Sequence, residues 1–173
     1  MKKQEFEIAV AQSNIDWKGR KVTGSHFGTI GLKKGELIVN DGVLTGGNFV
    51  VDTTSIKILD VTDPATNAQF AGHLASDDFF SIDRYPEAFF EITSVNNNHI
   101  LGNLTIKGIT HPVGFDATIK INEDSLSASG KIVIDRTKYG MRFRSGNFFK
   151  DLGDNLIYDD FYLTVNLTAK SAA

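Results

Sequence analysis

Apolar and polar residues alternate along much of this chain with a period of two. The clearest runs lie at 113–121 and 161–169, where every second residue is apolar. Successive side chains of a β-strand point to opposite faces, so this pattern predicts strands with one buried face and one exposed face. Shorter runs of the same kind bring the expected number of strands to about eight or more. The chain is therefore expected to be all-β and antiparallel, folded as a barrel or a sandwich.

Turn signals between the apolar runs predict where strands end. Asp41-Gly42 lies between two apolar runs and predicts a short hairpin, because both residue types accept the backbone of a tight turn. Further breaks in the alternation are expected at Lys34-Gly35, Gly46-Gly47, Asn96-Asn97-Asn98, Asn122-Glu123-Asp124 and Gly153-Asp154-Asn155.

One segment departs from the alternation and predicts a helix near 64–76. Asp63 is a favourable N-cap and Pro64 a favoured first residue of a helix. Phe70 and Leu74 are spaced as neighbours on one helix face. Closing an antiparallel sheet into a barrel removes its free edges, which leaves the helix a place over one end or along one side. The expected fold is an antiparallel β-barrel of about eight strands with a capping α-helix.

The segment 72–92 is too apolar for an ordinary loop and carries no recognisable catalytic signature. It contains the doublets Phe79-Phe80 and Phe89-Phe90, and a third doublet follows at Phe148-Phe149. In a strand, one member of a doublet faces inward and the other outward. The outward members are exposed apolar surface unless a helix, a loop or a second subunit covers them, so a homodimer is expected. Phe79 or Phe80 is expected to point into an apolar interior.

Charge and composition exclude several classes of function. The 18 Lys and Arg residues nearly balance 21 Asp and Glu, giving a net charge of −3, and no basic cluster predicts nucleic-acid binding. With no cysteine, the chain has no disulfides or thiolate chemistry. No apolar run approaches the ~20 residues of a membrane span, and Met1-Lys2-Lys3 is not followed by the apolar core of a signal peptide. Thirteen Phe, against one Trp and four Tyr, favour a deep and dry interior.

The four histidines lack the spacing of a zinc site. His99 lies in a polar turn and His111 precedes a proline, so a surface and a structural role are expected. His26 and His73 allow two interpretations: hydrogen-bonded histidines at the barrel rim, or polar contacts to a ligand head group.

No metal or cofactor is expected. Asp151 with Asp154 hints at calcium, but the pattern of a calcium-binding loop is missing. A weaker helix candidate covers the same region, at 146–152.

The residues by themselves leave three functions open. The first is a non-catalytic protein that holds a hydrophobic ligand inside the barrel. The second is a small enzyme acting on a hydrophobic substrate, with His73 and Asp77 as acid and base because residues four apart share a helix face. The third is a structural or stress-response interaction protein whose barrel is filled by side chains.

Five blocks of the sequence, in this order and spacing, resemble the YceI-like family. They lie at 49–55, 72–80, 85–90, 102–113 and 135–141. The resemblance covers about residues 13–170 and implies one lipocalin-like barrel domain, with a segment 1–12 before it and a loose C-terminus at 171–173. It also implies an elongated apolar tunnel and a long isoprenoid ligand, such as a polyprenyl phosphate or an isoprenoid quinone.

The same resemblance implies dimerisation and a periplasmic or otherwise extracytoplasmic location, with the cytoplasm as the alternative. The segments 17–26 and 158–161 resemble a branch that is often exported as lipoproteins.

The predicted ligand site follows from the inward positions of the strands and from the helix. The tail is expected to lie on Phe90, Ile92, Leu104, Ile106, Phe115, Ile132 and Ile134, beneath Phe70, Leu74 and Phe79. The polar mouth is expected at His26, His73 and Arg142, and Trp17 is included among the ligand contacts.

Overall fold

The computed structural model describes residues 3–22, 24–146, 152–153 and 156–171. The strands are β1 Lys3–Ile8, β2 Asn14–Lys21, β3 Gly24–Asn40, β4 Val43–Ile58, β5 Glu87–Asn96, β6 His99–Ile106, β7 Ile109–Ile121, β8 Ser125–Asp135 and β9 Ile157–Ser171. The α-helix α1 spans Pro64–Ala75, and short 3-10 helices span Val10–Gln12 and Arg136–Tyr139.

Some predictions fall on residues outside this description. The weaker helix candidate at 146–152 lies mostly outside it. So do the doublet Phe148-Phe149, the pair Asp151 and Asp154, and the last two residues of the predicted loose C-terminus.

The nine strands form one closed antiparallel barrel. From β2 to β9 each strand pairs with the next one in the chain, and β9 pairs back with β2. β1 and β2 follow one another in a single position of the barrel, because both pair with β3 on one side and β9 on the other. The all-β barrel of about eight strands is thus confirmed. β1 belongs to this sheet although it lies within the segment 1–12.

Turn chemistry explains which breaks in the alternation end a strand. Asp41 and Gly42 form the β3–β4 hairpin with φ angles of 51° and 80°, and Asn97 forms the β5–β6 turn with a φ of 57°. Both turns are confirmed. The turns predicted at Lys34-Gly35 and Gly46-Gly47 are wrong, because these residues lie inside β3 and β4. At 46–47 the glycine serves a close approach instead: a Cβ on Gly47 would lie 2.5 Å from the Glu36 carbonyl oxygen.

The lumen of the barrel is the hydrophobic core. The alternation correctly predicts the inward faces of β7 and β9, and it separates the two members of a doublet on β5. There Phe90 is 2% exposed and Phe89 is 45% exposed. The doublet Phe79-Phe80 lies in a turn rather than a strand, so the rule of one inward and one outward member does not apply to it.

Helix α1 covers one end of the barrel, as predicted. The Asp63 carboxylate accepts a hydrogen bond of 3.0 Å from the Thr66 N–H, and Pro64 occupies the first turn. The Asn67 side chain donates to the Ile58 and Val61 carbonyl oxygens, both at 3.0 Å. These bonds attach the start of the helix to the end of β4.

Candidate functional site

The lumen has a hollow half and a packed half. The hollow half, under α1, contains a cavity of about 430 Å³. The packed half, at the other end, contains a cavity of about 20 Å³. Because a cavity of the first size is within the range of small-molecule sites, the hollow half is the candidate functional site.

The wall of the hollow half is made of inward residues from six strands. Strands β2, β3, β4, β5, β6 and β9 each contribute apolar side chains at alternate positions. The apolar wall residues on these strands include Ile15, Trp17, Ile30, Val51, Ile56, Ala88, Leu104, Ile106, Ile157, Phe161 and Leu163. Such a surface offers dispersion contacts but few directional ones.

The roof of the cavity comes from α1 and the turn after it. Phe70, His73 and Leu74 face the cavity from the helix, and both Phe79 and Phe80 face it from the turn. The turn folds back on the helix because the Phe80 N–H donates to the Leu74 carbonyl oxygen at 3.0 Å. The segment 72–92 therefore supplies most of the roof before it enters β5.

Two side chains outside the roof attach this turn to the barrel wall. The Lys107 ammonium donates to the Asp77 carbonyl oxygen at 2.7 Å, and burial lowers the pKa of Lys107. The Thr53 hydroxyl donates to the Tyr85 carbonyl oxygen at 2.8 Å. The roof is thus hydrogen-bonded to β4 and to the β6–β7 turn.

His26 links the first part of the wall to the roof. Its Nδ1 lies 2.8 Å from the Asp60 carboxylate, and its ring meets the Phe70 ring edge-on at 4.7 Å between centroids. Burial alone would raise the pKa of Asp60, but hydrogen bonds from the Phe27 N–H and from His26 outweigh it and hold the pKa below its ordinary value. Asp60 is therefore an ionised partner that orients His26 beside the cavity.

The prediction that His73 and Asp77 form an acid–base pair is wrong. The His73 Nε2 lies 3.0 Å from the Asp78 carboxylate, whereas the Asp77 carboxylate accepts a hydrogen bond from the Ser81 hydroxyl. The helix ends at Ala75, so Asp77 does not share its face with His73. The His73 ring packs edge-on against Phe79 and Phe143, with centroid distances of 4.9 Å and 4.6 Å.

A buried cation lies at the edge of the cavity. Arg136 is 3% exposed, and its guanidinium donates to the carbonyl oxygens of Tyr158, Met141 and Ile157 at 3.1, 2.6 and 3.0 Å. Burial lowers its pKa, while nearby carboxylates oppose that shift. These bonds hold the 3-10 helix after β8 against the start of β9. Arg136 lies in the last of the five family blocks, but nothing in the local pattern of the chain marks it as buried.

Beside it, Tyr139 is 1% exposed. Among the described residues, its hydroxyl is the buried side-chain polar atom without a hydrogen-bond partner, and burial raises the pKa of Tyr139 to about 12. The phenol is therefore neutral at physiological pH.

The charged side chains that border the cavity are mostly cationic, and we take the exposed ones, Arg20 and Arg144, to mark its mouth. Among the described residues that border the cavity, Arg20, Lys21, Arg136 and Arg144 are cationic and Asp160 is the carboxylate. The Arg20 guanidinium donates to the Tyr162 hydroxyl at 2.8 Å. An anionic group at the mouth would therefore meet a favourable potential.

The structure brings many of the predicted contact residues to this cavity. Those that border it are Trp17, His26, Phe70, His73, Leu74, Phe79, Leu104 and Ile106. Phe90, Ile92 and Phe115 border the small cavity of the packed half instead. Ile132 and Ile134 are buried but border neither cavity. Ligand contact at each of these positions stays a prediction.

Arg142, predicted at the mouth, is exposed and does not border the cavity. Met141, Phe143 and Arg144 of the same segment border the cavity, whereas Arg142 does not. Phe161 and Leu163 also border the cavity, and their alternation had already marked them as inward. The wall residues of β2 and β3 follow from the same rule, counted from Trp17 and from His26.

Two further observations bear on what the site holds. Within the described ranges, no group of three or more His, Cys, Asp or Glu side chains is placed to hold a metal ion. In the same part of the chain, no helix has both the length and the apolar character of a membrane-spanning segment.

His99 is exposed and bonds Asp116 at 2.9 Å, while His111 bonds the Lys138 carbonyl at the same distance.

Known proteins share both the sequence pattern and the fold. A UPF0312 protein of Staphylococcus aureus (strain bovine RF122 / ET3-1) is 42% identical over 78 residues, which are 41% of this chain and 46% of that protein. A UPF0312 protein of Staphylococcus epidermidis (strain ATCC 35984) is 33% identical over 103 residues, which are 53% of this chain and 60% of that protein. The chain thus matches roughly half the length of these relatives.

Solved structures show the same barrel. BcnA of Burkholderia cenocepacia has a TM-score of 0.71 at 20% identity, covering 93% of this chain and 98% of that one. A polyisoprenoid binding domain from Saccharophagus degradans, implicated in plant cell wall breakdown, has a TM-score of 0.68 at 11% identity, covering 96% and 98%. At these identities the likeness shows the fold. The family model described as YceI-like domain matches residues 6–169, so this chain belongs to the YceI-like family.

Proposed function

We propose that this protein holds a long isoprenoid lipid in the hollow half of its barrel and does not transform it. The observation that carries the proposal is the cavity of about 430 Å³, walled by apolar side chains and roofed by α1. Each buried CH₂ of a tail contributes about 0.8 kcal/mol, so many weak contacts suffice without a strong polar site. The filled-barrel interpretation describes only the packed half.

A structural neighbour supports the ligand class. The Saccharophagus degradans domain, whose barrel this chain shares, is described as polyisoprenoid binding. The featureless apolar wall described above suits a tail of that kind independently of the likeness. An isoprenoid tail needs a long dry surface and few hydrogen bonds.

The charges at the mouth bear on the head group. A polyprenyl phosphate and an isoprenoid quinone both provide the tail, but only the phosphate is an anion. Arg20, Lys21 and Arg144 border the mouth, with Asp160 as the opposing carboxylate among the described residues. Guanidinium and ammonium groups bind phosphate through charge-assisted hydrogen bonds. A phosphate-bearing isoprenoid is therefore the favoured ligand.

The test is direct binding with matched probes. The chain is purified, stripped of lipid and titrated with farnesyl phosphate, farnesol and a short-chain isoprenoid quinone, with bound species counted by native mass spectrometry. We expect all three to bind and the phosphate to bind most tightly. Farnesol binding as tightly as the phosphate would remove the head-group assignment. If none of the probes binds, the proposed function is wrong.

Two substitutions on one strand locate the site. Leu104 borders the cavity, whereas Leu101 lies on the outer face of the same strand and is 39% exposed. Leu104→Asn places an amide against the tail and is expected to weaken farnesyl phosphate binding strongly. Leu101→Asn changes the same side chain outside the barrel and is expected to bind normally. Equal losses in both variants would place the ligand outside the lumen.

The homodimer and the extracytoplasmic location stay predictions. Phe89, at 45% exposed, is the kind of outward apolar residue that a second copy would cover. Sedimentation equilibrium of the native chain and of Phe89→Ser tests the dimer, which the substitution should weaken. Fractionation of cells expressing the natural protein tests the location.

A further inference from the structure

Three phenylalanine rings separate the hollow half from the other end of the lumen. Phe49 of β4 and Phe90 of β5 are register partners, with ring centroids 5.2 Å apart. The Phe115 ring of β7 lies 6.0 Å from that of Phe90. All three border the small cavity of the packed half, and none of the three borders the large one. We call this triad the aromatic floor.

On β4 and β5 the change from hollow to packed takes a single inward step along the strand. On β4 the inward residue changes from Val51, in the large cavity, to Phe49. On β5 it changes from Ala88 to Phe90 in the same way. Successive inward residues of a strand are about 6–7 Å apart, so the cavity ends within about that distance.

Glycines on the neighbouring strands make room for the rings of the floor. A Cβ on Gly102 of β6 would collide with the ring of Phe90. A Cβ on Gly130 of β8 would lie 2.8 Å from Cδ2 of Phe115. Each ring therefore occupies space that a side chain in place of the neighbouring glycine would fill. Rings seated in this way cannot turn aside without leaving a void, which close-packed interiors disfavour.

We propose that the aromatic floor sets the length of isoprenoid tail that this barrel accepts. This inference rests on the proposed function and adds a selectivity to it. The head group stays at the mouth, where the cations lie, so the tail enters toward the floor. The isoprene units that fit between the mouth and Phe90 are buried and add to the affinity. Further isoprene units of a longer tail remain at the mouth or in water and add none. Affinity should therefore rise with tail length and then level off.

The experiment measures where the affinity levels off. Lipid-stripped protein is titrated with farnesyl, geranylgeranyl and solanesyl phosphate, which differ only in tail length. Phe90→Ala opens the floor, so the affinity should level off at a longer tail than in the native chain. In this variant the affinity for the longest probe, relative to that for the shortest, should rise at least about tenfold. Ala88→Leu fills space between the floor and the mouth, so the affinity should level off at a shorter tail than in the native chain.

A control and a second variant separate the outcomes. Leu126→Ala removes a side chain that is 1% exposed but borders neither cavity, and it should keep the native length dependence. If Phe90→Ala does not fold, Ala88→Leu decides, because its added carbons enter existing space. The same length dependence in the native chain and in both floor variants would overturn the floor and leave the proposed function standing. Failure of every probe to bind the native chain would overturn both.

Discussion

Five strands, β3, β4, β5, β6 and β9, contribute inward side chains to both the hollow and the packed half of the lumen, whereas β2 borders only the large cavity and β7 and β8 border only the small one. The two halves differ in which inward side chains each strand carries. In the packed half, Phe49, Phe90 and Phe115 border a cavity of only about 20 Å³. In the hollow half, strand residues such as Ala88 and Val51 leave about 430 Å³, and rings enter largely from the roof.

Because of this difference, the two halves are expected to contribute differently to stability and to ligand binding. Side chains in the packed half border a cavity of only about 20 Å³ and so lose little dispersion contact. Side chains around the large cavity lack partners on their inner side in the lipid-free protein. The packed half is therefore expected to provide most of the stability of the barrel, and the hollow half its binding capacity.

The largest expected effect compares one substitution in the two halves. Leu37 borders the small cavity and Leu104 the large one, and both are buried. Leu37→Ala should lower the free energy of unfolding by about 2–5 kcal/mol, the range for a leucine in a well-packed core. Leu104→Ala should cost no more than the low end of that range, because fewer contacts are lost. Urea denaturation of lipid-free protein measures both, and equal costs would contradict the comparison.

The second prediction concerns the cation that supports the hollow half. Arg136→Ala leaves three backbone carbonyl oxygens without their donor. The loss should lower the free energy of unfolding by about 2–4 kcal/mol and weaken ligand binding as the start of β9 loosens. Arg84→Ala removes an exposed arginine and is the control, expected to stay within about 0.5 kcal/mol of the native chain. A similar result for both variants would mean that Arg136 is not structural.

The third prediction tests the seat of a floor ring. Gly102→Ala places a Cβ against the Phe90 ring and should cost about 1–3 kcal/mol by overpacking. Gly46→Ala is the matched control, since a Cβ there meets nothing within 4 Å. Adding Phe90→Leu to Gly102→Ala should recover part of the loss, because the two sites share one space. Additive losses in the double variant would show that the ring does not depend on the glycine.

The smallest effect is a pH dependence of stability that comes from the pairing of Asp60 with His26. Because the folded pKa of Asp60 lies below the ordinary value of 3.8, its contribution to stability is complete above that value and is lost as the pH falls through the folded pKa. Asp60→Asn should therefore be less stable than the native chain near about pH 5, by well under 1 kcal/mol. The difference should shrink as the pH falls below 3.8. Thermal unfolding of both proteins along this pH series is the measurement, and a gap that is constant with pH would contradict it.

Several features of this protein follow from local patterns in the chain. The alternation at 113–121 and 161–169 determines which residues face inward, because a strand has only two faces. Asp63 and Pro64 determine where the helix begins, and Asp41-Gly42 determines a hairpin, because each acts through its own backbone geometry. These signals act over a few residues, and the structure confirms them.

Other features are decided only when distant parts of the chain meet. Alternation marks Ala88 and Phe90 equally as inward, and only the closed barrel places one in the cavity and the other in the floor. Gly46-Gly47 resembles a turn locally, but the close approach of β3 requires glycine inside β4. His73 bonds Asp78 rather than Asp77 because the helix ends between them.

The sequence by itself thus determined the strands, the helix and the two faces of each strand, since these depend on backbone geometry over a few residues. The tertiary structure decided which part of the lumen is empty and which groups border it. Those properties depend on the volumes of side chains that meet across the barrel, and no single strand carries that information.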